Sequence, residues 1–149
     1  MIGIDYGERR IGLAITDPSA TLARPWRVLR STGGTTDAVA RVAAAIEALD
    51  PGEDPIGLIV VGLPAHLDGT PHEHASRVRA FAEALGAHLA RPVVFQDERL
   101  TSHEAESRLA LRERDWRKRK QKLDAAAAAV ILQDYIDEHG GDDEVTSHE

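Results

Sequence analysis

The 149-residue sequence has no cysteine, few aromatic residues and no long apolar run. The missing cysteines exclude disulfides, a thiolate nucleophile and cysteine-ligated zinc sites. No apolar run approaches the roughly 20 residues that a membrane-spanning helix needs. The first predicted strand begins almost at Met1, which leaves no room for a signal peptide. We therefore expect a cytoplasmic protein that does not associate with membranes.

Charge is unevenly distributed along the chain. The formal net charge is −7, which by itself argues against a nucleic-acid-binding protein. However, residues 112–122, RERDWRKRKQK, contain seven basic and two acidic residues, a local charge of +5. The last ten residues, GGDDEVTSHE, contain four acids and no Lys or Arg. We predict one domain over residues 1–138 and a disordered acidic tail over 139–149.

Hydrophobic patterning predicts alternating strands and helices. The predicted strands cover residues 2–6, 10–16, part of 22–31, 57–63 and 92–95, and the helices cover 35–49, 73–90, 101–111 and 123–138. Pro25 places the third strand at an edge or a bulge, whereas the apolar runs of the fourth and fifth strands predict buried strands. The order βββαβαβαα predicts an α/β fold with a five-stranded mixed sheet flanked by helices, whose first three strands are antiparallel.

Acidic residues stand at the ends of several predicted elements. Asp5 lies in the first strand, Asp97 and Glu98 follow the last strand, and Asp124 lies in the first turn of the last helix. Carboxylates gathered at one place favour Mg²⁺ or Mn²⁺, which can promote attack of water on a phosphodiester. Each acid also has a structural interpretation: Asp5 could accept hydrogen bonds from a turn, Asp97 or Glu98 could be a surface acid, and Asp124 could complement the helix dipole.

Four segments closely resemble the signature blocks of the YqgF/RuvX family, in the same order and spacing. They are GIDYGERRIGLAITD (3–17), VVGLPAHLDGT (60–70), FQDERLTSHEA (95–105) and KLDAAAAAVIL (122–132). The resemblance implies a ribonuclease-H-like fold and a nuclease that processes the 5′ end of pre-16S rRNA, with Holliday-junction resolution as the alternative. Its partners would be nucleic acid, as branched DNA or as pre-rRNA in the small-subunit precursor.

By the same resemblance, the catalytic acids that hold Mg²⁺ or Mn²⁺ are Asp5, Glu98 and Asp124. In resolvase relatives the second acid ends the fourth strand, but here that place reads Gly62-Leu63-Pro64. Glu98, beside the next strand, must therefore substitute for it.

Basic residues near the acids are predicted to bind backbone phosphates. Arg9, Arg10 and Arg99 flank the acids in the sequence. We interpret the basic run as a loop between two helices that clamps nucleic acid, since Lys and Arg attract phosphates without reading sequence and an aromatic ring can stack on a base. The residues assigned to this clamp are Trp116, Arg117, Lys118, Arg119, Lys120 and Lys122. A solvated surface loop is the alternative.

Two further functions fit parts of the sequence. The strand–turn–strand around Asp5 and Gly7 also resembles the phosphate loop of actin-like and sugar-kinase-like ATPases, but those enzymes need two such domains. A non-catalytic nucleic-acid-binding module would keep the basic residues without turnover. RNA and branched DNA both remain as substrates, because no base-reading motif is present, and the sequence does not indicate an oligomeric state.

Overall fold

The computed structural model describes residues 1–7, 9–17, 21–31, 34–49, 57–63, 72–97 and 116–147; of residues 72, 116–123 and 140–147 it describes the backbone alone. These ranges contain β1 (Ile2–Tyr6), β2 (Arg10–Thr16), β3 (Ala23–Arg30), α1 (Gly34–Glu47), β4 (Ile59–Leu63), α2 (His72–Leu89), β5 (Val93–Asp97) and α3 (Trp116–Ser147). None of the helices in these ranges is long and apolar enough to cross a membrane.

The strands form one mixed sheet in the order β3-β2-β1-β4-β5. The first three strands are antiparallel, and β4 and β5 join parallel to β1. This topology confirms the predicted five-stranded sheet with an antiparallel start. β3 is an edge strand, and its pairing with β2 is irregular where Ala14 meets Pro25, so Pro25 stands at both an edge and a bulge.

Each face of the sheet carries its own apolar core, because side chains of a strand alternate between the two faces. Ile2 and Ile4 of β1 point towards α1 and α2, together with Ile59 and Val61 of β4. Ala14 and Val60 point to the opposite face, where Ala128, Ile131 and Leu132 of α3 cover them. We call these the α1/α2 face and the α3 face.

Two predictions about elements need correction. The fifth strand is not buried on both sides: β5 lies at the other edge of the sheet, and Phe95 is 40% exposed. The basic run is not a loop as far as it is described, since α3 begins at Trp116 and continues through Asp124. Residues 116–133 contain no Gly or Pro and are rich in Lys, Arg, Gln, Leu and Ala, which favour a helix.

Other predictions fall at the limits of the description. The predicted helix over 101–111 and residues 112–115 of the basic run lie outside the described residues. α3 continues to Ser147, into the segment assigned to a disordered tail. The domain boundary at residue 138 stays a prediction.

Candidate active site

Asp5 lies on the α3 face of the central strand. It pairs with Gly12 of β2, as Gly3 pairs with Ala14. Directly paired residues of adjacent strands project to the same side of a sheet. Because Ala14 packs against α3, Asp5 is on that side too, and it is half-buried there.

Gly12 allows α3 to approach β2 closely at Asp124, beside Asp5. A Cβ atom built on Gly12 would overlap the carbonyl oxygen of Asp124 and lie 3.0 Å from the nitrogen of Ala125. The helix therefore rests directly on the backbone of β2. Since Gly12 is also the partner of Asp5, the residues Asp5 and Asp124 both adjoin the same glycine.

A similar close approach holds the next turns of α3 against β1. A Cβ atom on Gly3 would lie 2.7 Å from Cβ of Leu132 and 2.9 Å from the carbonyl oxygen of Ala128. Ala128 belongs to this contact, and Ala125 and Ala127 are also buried. The small side chains of the alanine run therefore allow α3 to approach the sheet closely next to Asp124.

Arg10 fixes the carboxylate of Asp124. Its Nε atom lies 2.8 Å from Oδ2 of Asp124, and the side chains are 31% and 25% exposed. Arg10 stands two residues before Gly12 on β2 and so lies on the α3 face. The guanidinium predicted to contact phosphate therefore contacts one of the predicted catalytic acids.

Asp97, the last residue of β5, lies on the opposite face of the sheet from Asp5. Asp97 pairs with Leu63 and Gln96 pairs with Gly62. Leu63 packs in the core under α1 and α2, so Asp97 belongs to the α1/α2 face, as expected if its neighbour Glu98 is the ligand. Glu98 and Arg99 themselves lie outside the described residues.

On the α3 face, β4 and β5 present Gly62 and Gln96 in place of an acid. Gln96 is 5% exposed, and its Nε2 donates a hydrogen bond to Oε2 of Glu138 at 3.1 Å. This bond joins the end of β5 to α3. Sequence reasoning missed both Gln96 and Gly12, because their place on the face of Asp5 depends on strand register, which only the structure gives.

The remaining predicted site residues lie near this face or in α3. Arg9 is exposed in the turn between β1 and β2, where its carbonyl accepts a hydrogen bond from the N–H of Ser31 at 2.9 Å. Trp116, Arg117, Lys118, Arg119, Lys120 and Lys122 occupy the first two turns of α3. The chain direction of α3 leads from these turns directly to Asp124.

The described residues supply only some of the oxygen ligands that a hard divalent cation would need. Asp5 and Asp124 provide carboxylate oxygens, the ligands that Mg²⁺ and Mn²⁺ prefer. Within the described ranges no three His, Asp or Glu residues lie close enough to hold a metal ion. The predicted third ligand, Glu98, lies outside the described residues.

Comparison with known proteins adds independent findings. The family profile for RuvX, described as Holliday junction resolvase, matches residues 1–138. A protein of Anaeromyxobacter sp. (strain Fw109-5), named "Putative pre-16S rRNA nuclease", is 42% identical over 136 residues, 91% of this chain and 95% of the relative. A relative with the same name from Pelotomaculum thermopropionicum is 35% identical over 140 residues, 94% and 88% of the two chains.

Among solved structures, RuvC of Thermus thermophilus matches with a TM-score of 0.51 at 16% identity. The match covers 94% of this chain and 97% of that chain. A second structure of the same protein, in complex with a Holliday junction substrate, also matches with a TM-score of 0.51. At this level of identity the likeness concerns the fold.

Proposed function

Because the chain belongs to the RuvX family and has the ribonuclease-H-like fold that the sequence predicted, we propose that it is a metal-dependent nuclease. The reaction is hydrolysis of a phosphodiester bond, and the proposed substrate is the 5′ end of pre-16S rRNA, in the small-subunit precursor. Cytoplasmic location follows from that substrate.

The observation that carries this proposal is the position of Asp5 and Asp124. They come from the first strand and the last helix, and both adjoin Gly12 on one face of the sheet. With Glu98 they would hold Mg²⁺ or Mn²⁺, which supplies positive charge beside a phosphodiester and activates water for its hydrolysis. Arg10 contacts the Asp124 carboxylate, and the role we propose for the exposed Arg9 is to bind a neighbouring phosphate.

The test is a cleavage assay with the full chain in Mg²⁺ or Mn²⁺. Pre-16S RNA, unstructured single-stranded RNA and a four-way DNA junction are offered side by side. Asp5→Asn should lower the cleavage rate by at least about a hundredfold, since losing a ligand of a charge-stabilising metal is worth several kcal/mol. Asp97→Asn is the matched control, because it removes the same charge from the opposite face of the sheet.

Three outcomes are informative. Cleavage of the RNA that depends on Asp5 and not on Asp97 supports the proposal. Cleavage of the junction alone would favour the second candidate, a Holliday-junction resolvase, which is the description of the family profile. Binding of nucleic acid without cleavage by the wild type under any of these conditions would leave a binding module and contradict the nuclease.

We propose that residues 1–138 form the nuclease domain, as predicted from the sequence, and that residues 139–149 are not needed for cleavage. Limited proteolysis should then remove the last residues first, and the trimmed protein should keep the cleavage rate of the full chain. A loss of cleavage on trimming would contradict this division.

A further inference from the structure

We propose that the outer edge of β3 binds the phosphate backbone of the nucleic-acid substrate. Its binding groups are Arg24, Arg27 and Arg30, which we call the arginine edge, and none of the residues assigned above belongs to it. The proposal rests on the nuclease function and gives that function a second contact surface, apart from the turns of α3 that precede Asp124.

The arginine edge carries a local excess of positive charge, although the protein as a whole has a net charge of −7. All three side chains are exposed. β3 is the edge strand next to β2, and no acidic residue occurs between Asp17 and Asp37. In the described part of the chain, no ion pair engages any of the three guanidinium groups, whereas Arg10 and Arg41 are paired with Asp124 and Asp37.

The edge is continuous with the candidate active site through the strand register. Arg30 pairs with Arg10, and Val28 pairs with Gly12, the partner of Asp5. Asp5 is therefore two strands from the edge, about 10 Å, and Arg30 is about 7 Å further along β3. An arginine at that place can bind a phosphate one or a few nucleotides from a bond cleaved at Asp5.

The spacing of the three arginines matches an extended polyanion. They recur every third residue, so adjacent ones are about 10 Å apart and the set spans about 20 Å. One strand of B-form DNA advances about 3.4 Å per nucleotide, so this span corresponds to about six nucleotides. Arg30 holds a register position on the α3 face, while Arg24 and Arg27 pair with Ile15 and Leu13 on the α1/α2 face. The bound backbone would therefore cross the edge of the sheet.

The alternative occupant of a sheet edge is another β-strand, and β3 is poorly suited to one. Pro25 has no N–H to donate, and the irregularity at this place disrupts the ladder. A second copy of β3 would also bring like charges together. The guanidinium of Arg27 lies 5.8 Å from the ring centre of Trp26, a cation–π contact that holds the charge at the surface.

The experiment measures binding by the full chain without divalent ions, so that the probe stays intact. The probes are a fluorescein-labelled single-stranded RNA of 12 nucleotides and a labelled four-way DNA junction, each titrated between 50 and 200 mM salt. The edge variant is R24Q/R27Q/R30Q. The control variant is R41Q/R77Q/R79Q, which removes the same charge from exposed positions of α1 and α2.

We expect the edge variant to bind both probes at least about tenfold more weakly at 50 mM salt than the control variant. Three lost phosphate contacts reduce the slope of log K against log salt by about 2.1–2.7. The affinity lost between 50 and 200 mM salt should then be about 20- to 40-fold smaller than for the wild type. Arg30→Gln alone should give about a third of the slope change, and Arg30→Lys should restore most of it.

Equal affinities and slopes for the edge and control variants would overturn the proposal. Circular dichroism of each variant, and the single Arg30→Gln change, separate this result from misfolding. If the wild type binds and cleaves but the edge variant behaves like the control, only the proposal that the arginine edge binds phosphates is wrong, and the nuclease function stands. If the wild type binds neither probe, the nuclease function fails together with it.

Discussion

Replacing Gly12 with alanine should separate the two acids of the candidate site. The new Cβ atom would overlap the carbonyl oxygen of Asp124. Restoring an ordinary separation of about 3.5 Å requires α3 to move away from β2 by roughly 1–2 Å. Overpacking of this kind costs about 1–3 kcal/mol of unfolding free energy. A displacement of about 1 Å at a catalytic group can cost a hundredfold in rate, so cleavage should fall far more than the folded fraction.

The assay combines urea unfolding with cleavage rates corrected for the fraction folded. Two other glycines provide controls. A Cβ atom on Gly57 has no neighbour within 4 Å, so Gly57→Ala should change neither quantity. Gly3→Ala also forces α3 outwards, against Ala128 and Leu132, but one to two turns away from Asp124. It should destabilise the protein with a smaller loss of rate. A Gly12→Ala protein with wild-type stability and cleavage would refute the close approach and the role of Asp124 built on it.

Two further changes test neighbouring parts of the site. The losses of unfolding free energy caused by Arg10→Gln and Asp124→Asn should not add up in the double variant. We expect a coupling free energy of about 0.5–1.5 kcal/mol in urea unfolding, because their ion pair is largely shielded from water. Strictly additive losses would mean that the 2.8 Å contact contributes nothing to stability. Neutralising three of Arg117, Lys118, Arg119 and Lys120 should weaken RNA and DNA binding alike and lower the salt slope by about 0.7–0.9 for each lost contact. Because successive helical residues are about 100° apart, the four side chains point in different directions and we expect one or two such contacts. An unchanged slope would favour a solvated surface.

The strands and their order could be predicted because alternation and apolar runs report burial directly. GIDY, RIGLAIT and IVVGL form strands as predicted, and the structure places all three in the interior of the sheet. The prediction that β5 is buried was wrong for a physical reason. An apolar run of four residues has the same pattern in a strand with one neighbouring strand as in a strand with two, and β5 has only β4 beside it in the described sheet. The prediction of a loop for the basic run was wrong from Trp116 onwards, because Lys and Arg are good helix formers and a high local charge does not exclude a helix.

The sequence by itself determined the fold class, through its periodicity, and the family, through its four signature blocks. The resemblance to that family then identified the candidate acids. Only the tertiary structure decided which groups meet. Register put Asp5 opposite Gly12 and placed Asp97 on the other face, and these pairings depend on how distant segments align. The ion pair between Arg10 and Asp124 joins residues 114 positions apart, and it exists because a glycine without a side chain lets α3 rest on β2.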